Sequence, residues 1–144
     1  MEYKVELKTV TMPNEVRLED DPVRKGYSYD FRTTDGRQIF TIPNKAVVCI
    51  ANTNKVPKTM KQLIRYSSPK ATECTIFYTV WSYSKGAGRE IILEAAKHIK
   101  ETKGVTRFVT LSPLTQMAER FHLRNGAVLL NKGEECQNFE YENV

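Results

Sequence analysis

Residues 72–100 read TECTIFYTVWSYSKGAGREIILEAAKHIK, and no other stretch narrows the fold as far. The first ten positions are rich in β-branched and aromatic side chains and predict a strand. Two glycines break that run, after which Ile91, Ile92, Ala95, Ala96 and Ile99 fall on one face of a helix. A strand followed by a one-faced helix must bury both against a common sheet. The glycine turn raises a chemical question of its own. Amides at a helix start are unpaired and carry the positive end of the helix dipole. Gly86 and Gly88 remove Cβ atoms that would block close approach, while Lys85 and Arg89 add cationic charge, so the turn can receive an anion such as pyrophosphate. The alternative is an ordinary glycine turn with a solvated basic edge. The turn lacks both the third glycine of a dinucleotide fingerprint and the Gly-Lys-Ser/Thr of a P-loop, which disfavours dinucleotides and ATP.

The remaining elements follow from local pattern. EYKVELKTV, YSYDFRT and RQIFTIP predict N-terminal strands, the last two joined by Asp35-Gly36 as a hairpin. MPNEVRLEDDPVRKG, with two prolines and mixed charge, reads as a loop or lid. AVVCIAN predicts a buried strand and TMKQLIRYS a short helix packed through Met60, Leu63 and Ile64. TRFVTLS is another strand. In SPLTQMAERFHLRNGA, Ser112 is placed as the helix cap, Pro113 in its first turn and Asn125-Gly126 at its exit. AVLLN and NFEYENV close the sheet.

At 144 residues and 40% hydrophobic, the chain suits one domain with a single core. A net charge of +5, from 22 basic and 17 acidic residues, favours anionic partners without making a polycation; nucleic acid is permitted and not called for. Cys49, Cys74 and Cys136 have neither metal-ligand spacing nor the density of a disulfide scaffold and read as free thiols. With no signal-peptide pattern and no apolar run near 18 residues, a soluble cytoplasmic protein without membrane contact is expected.

Two motifs carry a family resemblance. Tyr83-Ser84-Lys85-Gly86-Ala87-Gly88 resembles the GNAT acyltransferase signature, in which Gln or Arg, two residues, Gly, any residue and Gly or Ala cradle the pyrophosphate of coenzyme A (CoA). Tyr83 stands where that family has Gln or Arg. Ala118-x-x-Phe121-His122-x-Arg124-x-Gly126-Ala127 has the spacing of the late GNAT helix motif, with His122 at its usual tyrosine. TIFYTVW, TLSPL, FHLRNGAVL, AVVCIANTN and NFEY are more narrowly similar to the GNAT-like catalytic domain of malonyl-CoA decarboxylase, over residues 46–141 and apart from that enzyme's helical domain.

The resemblance implies an α+β, GNAT-like fold with a mixed, mostly antiparallel sheet flanked by helices and splayed at the end of the TECTIFYTVW strand to admit a pantetheine arm. It implies that Val80, Tyr83, Ser84, Lys85, Gly86, Ala87, Gly88 and Arg89 hold CoA or acetyl-CoA, with no metal. It places His122 and Ser112 at the thioester. The expected activity is acyl transfer from acyl-CoA to an amine acceptor, with decarboxylation of a malonyl thioester as the alternative. A non-catalytic CoA- or nucleic-acid-binding module is a third reading.

His122 has chemistry for either reaction, because an imidazole titrates near neutrality and works as a general acid or base. The plain alternative for His122 is a core histidine beside Phe121, and for Ser112 a helix cap. His98, off the apolar face, reads as solvated, and so does the basic run of Lys55, Lys58, Lys61 and Arg65. Nucleic-acid binding would rest on Phe77, Tyr78 and Trp81, whose rings must be exposed to stack on bases.

Overall fold

The computed structural model describes residues 5–144. One mixed sheet runs through the molecule in the order β1 (Lys8–Thr9), β2 (Arg37–Ile42), β3 (Ala46–Thr53), β4 (Cys74–Ser82), β5 (Phe108–Thr110), β8 (Cys136–Tyr141), with β6 (Ser112–Pro113) and β7 (Val128–Lys132) also paired to β8. Every pair is antiparallel except β4 with β5, which the 17-residue helix α3 (Ala87–Lys103) joins as a crossover. The expected α+β class and mostly antiparallel sheet are both present.

The apolar run of β3 is explained by burial on two sides. Val48 and Ile50 face α3, whose Ile91, Ile92, Ala95, Ala96 and Ile99 are all buried, as their spacing predicts. Val47, Cys49 and Ala51 face the opposite layer, made by Leu63 of α2 (Met60–Tyr66) and the N-terminal segment. A strand covered on both faces has no polar alternation to show. Cys49, Cys74 and Cys136 are free and buried.

Several local expectations are corrected. YSYDFRT is not a strand: Ser28 accepts a hydrogen bond from the Phe31 amide and caps the single turn α1 (Tyr29–Arg32). Asp35 and Gly36, both at positive φ, therefore join a helix to β2; the hairpin is the next turn, between β2 and β3 at Asn44. Residues 1–4 lie outside the described part, and among the described residues of EYKVELKTV only Lys8 and Thr9 pair as strand. Residues 12–26 form two 3-10 turns within a loop, Pro13–Glu15 and Leu18–Asp20. Ile64 is exposed, leaving Leu63 as the buried contact of α2. His98 is half-buried with its ring edge-on to Phe40 at 5.3 Å, whereas Lys55, Lys58, Lys61 and Arg65 are exposed as expected.

Ser112 is no helix cap. It lies in β6, opposite Gln137, and the cap of α4 (Gln116–Arg124) is Thr115, whose hydroxyl accepts from the Ala118 amide at 3.2 Å. Phe77, Tyr78 and Trp81 are buried in β4, so they offer no stacking surface for bases.

Candidate functional site

The site begins where two parallel strands part. β4 and β5 stay in register through Phe77 and Thr110, and the Leu111 amide still donates to the Phe77 carbonyl at 3.0 Å. Beyond that point β4 continues to Ser82 while the other chain turns toward β8 as β6. A register shift on the far side of β4, opposite Cys49 and Ile50, bends the strand at the same level. The gap is a cavity of about 570 Å³, bordered by Phe77, Val80, Gly88, Ser112, Phe121 and His122. Its wall is mainly apolar and, among the described residues, includes no Asp, Glu, Lys or Arg.

The glycine turn sits at one end of this cleft. Gly86 occupies the N-cap position of α3 at φ +82°, which L-residues rarely adopt, and no side chain caps the helix. A Cβ at Gly86 would meet open space, whereas one on Gly88 would lie 3.0 Å from the Phe121 ring. Gly88 thus suits the close crossing of α3 and α4, where any Cβ would press on the Phe121 ring, a reason independent of any ligand. Ser84, Lys85 and Arg89 are exposed beside the turn, and Ala87 is buried. Tyr83 is drawn away from it. Its hydroxyl donates to Asp20 Oδ2 at 2.6 Å and accepts from Trp81 Nε1 at 3.0 Å, tying β4 to the N-terminal loop. The structure therefore gathers Val80, Gly88, Ser112 and His122 around one cavity, with Ser84, Lys85, Gly86 and Arg89 outside its wall.

His122 is buried on α4, its ring stacked on Phe139 and its Nδ1 2.8 Å from the Tyr141 hydroxyl. Burial pulls its pKa down to about 4, so the ring is neutral at pH 7. Burial pushes the Tyr141 phenol above its ordinary value, with Arg89 opposing the shift, so the phenol keeps its proton. That proton has no partner among the described residues other than Nδ1. The phenol therefore donates, the ring proton resides on Nε2, and His122 presents an N–H donor rather than a base.

Ser112 is buried and borders the same cavity, 2.7 Å from the Thr110 hydroxyl, which accepts from the Phe139 amide at 3.1 Å. β8 thus stands behind both groups, supplying Tyr141 to the histidine and Phe139 to the hydroxyl pair. Further along β8, the buried Asn138 side chain donates to the carbonyls of Pro57 and Thr110, and Gln137 to that of Pro113. These bonds fix the strand on which the site is built.

The third wall comes from the loop after residue 20. Pro22 and Val23 border the cavity, and Asp21, fully buried, holds them there. Its carboxylate accepts from the amides of Val23 and Arg24, from Thr79 Oγ1 at 2.8 Å and from Arg32 at 2.7 Å. Burial raises its pKa, but these bonds outweigh it and hold the group below the ordinary value. Arg32 is equally buried and also donates to the carbonyls of Tyr27 and Arg24.

Sequence reasoning missed Tyr141, Thr110 and Asp21. Thr110 precedes Ser112 by two positions and so shares its face of the strand, which was a usable signal. Asp21 and Tyr141 act on partners 11 and 19 residues away, beyond any local pattern. Among the described residues, no cluster of three or more His, Cys, Asp and Glu side chains could hold a metal, and no helix is long and apolar enough to cross a membrane.

No protein-family model and no curated protein matches the chain. Solved structures do. A crystal structure of malonyl-CoA decarboxylase from Rhodopseudomonas palustris is 21% identical with a TM-score of 0.58, over 81% of this chain and 32% of that one. The malonyl-CoA decarboxylase from Cupriavidus metallidurans gives 19% identity and a TM-score of 0.52, over 82% of this chain and 33% of the other. The likeness is one of fold, and the chain spans about a third of the length of these enzymes.

Proposed function

We propose that the chain is a catalytic domain acting on acyl thioesters of CoA, and that its site is best suited to decarboxylating a malonyl-type thioester. The observation that carries this reading is the state of His122: a neutral ring, bonded through Nδ1 to Tyr141, bordering the same mainly apolar cleft as Ser112. Loss of CO₂ from a malonyl thioester requires no base. The bond between the α-carbon and the carboxylate breaks, its electron pair moves into the thioester carbonyl, and an enolate remains. Two donors suit that enolate oxygen, the hydroxyl of Ser112 and Nε2–H of His122, and the mainly apolar wall strengthens both bonds. The α-carbon then takes a proton from a solvent water as CO₂ leaves, the hydroxide being neutralised in bulk solvent, while His122 keeps its Nε2 proton, and an acetyl thioester results. The apolar wall also destabilises the substrate carboxylate relative to neutral CO₂.

Transfer to an amine makes a different demand, since the ammonium must lose a proton. A histidine with a pKa of about 4 is a weak base for that task, and among the described residues no carboxylate lines the cleft to replace it. The fold likeness to malonyl-CoA decarboxylases supports the same choice. In this reading the pantetheine arm enters past Val80, and the phosphates lie at the turn of Ser84, Lys85, Gly86 and Arg89, outside the cavity wall.

Product analysis tests the proposal. The protein incubated with malonyl-CoA is expected to yield acetyl-CoA and CO₂, and His122→Ala to lower kcat by ~10²- to 10³-fold. The wild-type kcat should stay level between pH 5.5 and 8, because His122 does not titrate there. Free CoA formed from acetyl-CoA and an amine, with an inflection near neutrality, would replace this reading with acyl transfer.

A further inference from the structure

The two hydroxyls of β5 and β6 form a short directional chain. Thr110 Oγ1 accepts from the Phe139 amide at 3.1 Å and stands 2.7 Å from Ser112 Oγ. Thr110 is completely buried, and its own hydroxyl hydrogen has no acceptor among the described residues except Ser112 Oγ. Ser112 borders the cavity and has a second outlet for its hydrogen. A buried hydroxyl that donates to nothing is costly, so the pair settles in one direction: Phe139 N–H to Thr110, Thr110 O–H to Ser112, Ser112 O–H into the cleft.

We infer that Thr110 is a positioning residue, which keeps Ser112 a donor toward the thioester carbonyl. Without it the Ser112 hydroxyl is free to rotate, and cavity water or the ligand decides whether it donates or accepts. The fixed strand contributes as well. The same β8 backbone whose amide starts the chain at Phe139 carries Tyr141 two residues later. The hydroxyl and the imidazole are therefore oriented from one strand, by separate bonds. This inference rests on the thioester reading of the site, and its test separates the two.

The experiment is a double-mutant cycle on malonyl-CoA turnover with Thr110→Val, Ser112→Ala and both together, each checked for folding by circular dichroism. Thr110→Val is expected to lower kcat ~10- to 100-fold with KM changed less than ~3-fold, and Thr110→Ser to restore most of it. In the Ser112→Ala background, Thr110→Val should change nothing further, because Thr110 acts only through Ser112. Equal losses in both backgrounds, or an unaffected Thr110→Val, would overturn the inference.

If the wild type does not turn over malonyl-CoA, the decarboxylase reading fails and calorimetry decides the rest. Acetyl-CoA, which has the carbonyl, should then bind more tightly than the carbonyl-free thioether S-ethyl-CoA. Thr110→Val and Ser112→Ala should each erase that preference. A wild type without the preference, or a Thr110→Val protein that keeps it, would show that Thr110 does not orient the serine.

Discussion

Two of the cleft's walls are held by opposite means. The α4 and β8 side, with Phe121, His122, Phe139 and Tyr141, is aromatic packing around a single hydrogen bond between two neutral groups. The Asp21 side is a loop pinned by a buried ion pair, with the carboxylate taking four hydrogen bonds. Packing is built of many small contacts and fails by degrees, whereas removing one charge of a buried pair strands the other. The wall that the sequence advertises least is therefore the one most exposed to a single substitution.

The largest expected effect follows from that contrast. Asp21→Ala should cost about 3–5 kcal/mol in urea unfolding, because Arg32 is left charged and sealed from water. Changing Arg32 to Met in the same chain should recover part of the loss. If the double variant is no better than the single one, the hydrogen bonds and not the charge hold the loop.

Titration separates the same two walls. Folded His122 stays neutral down to about pH 4, while an unfolded histidine takes up its proton near its ordinary 6.5. The unfolded state thus binds more protons in that window, and stability, complete above the unfolded value, falls as pH drops toward 4 by up to about 3 kcal/mol. His122→Gln should flatten that slope. The contribution of Asp21, whose folded pKa lies below its ordinary value, persists through this window and is lost only in stronger acid. A stability curve already falling above pH 7 would mean that neither group controls it.

The smallest effects belong to the glycine turn. Gly88→Ala forces the Phe121 ring to shift, and Gly86→Ala must hold φ at +82°, each for about 1 kcal/mol. Gly86→Asn should be milder than Gly86→Ala, since asparagine tolerates left-handed backbone, whereas Gly88→Asn should be worse than Gly88→Ala. The opposite ranking at either position would reassign the reason for its glycine.

The sheet and the long helix were legible because their patterns answer to burial, which repeats along the chain. β3, β4, α3 and α4 each display enough apolar positions for periodicity to identify them. Residues 27–32 were misread because Tyr, Ser, Tyr, Asp and Phe alternate as a strand does, while the deciding events are a serine cap and the pull of Asp21 on Arg32. Ser112 illustrates a different failure. Serine before proline suits a helix start, yet pairing with Gln137 on β8 took it, and a second capping residue, Thr115, stood three positions later. The candidate site was half visible. His122 and Ser112 could be named from the family resemblance of their motifs, but the groups that set their hydrogen-bond direction, Tyr141 and Thr110, are defined by strand pairing and long-range contact.

The three buried thiols give each part of this molecule its own reporter. Cys49 lies against Arg32, Cys136 is 3.8 Å from the Arg24 guanidinium, and Cys74 bonds to Thr53 between β3 and β4, away from the loop. A thiol reagent cannot attack a group that water does not reach, and burial also pushes the Cys49 pKa up to about 11. Modification under native conditions therefore counts openings of the surrounding structure rather than encounters with a surface. Release of the N-terminal loop would bring Cys49 and Cys136 into reaction ahead of Cys74. The order in which the three are labelled is a record, written by the protein itself, of which wall of the cleft opens first.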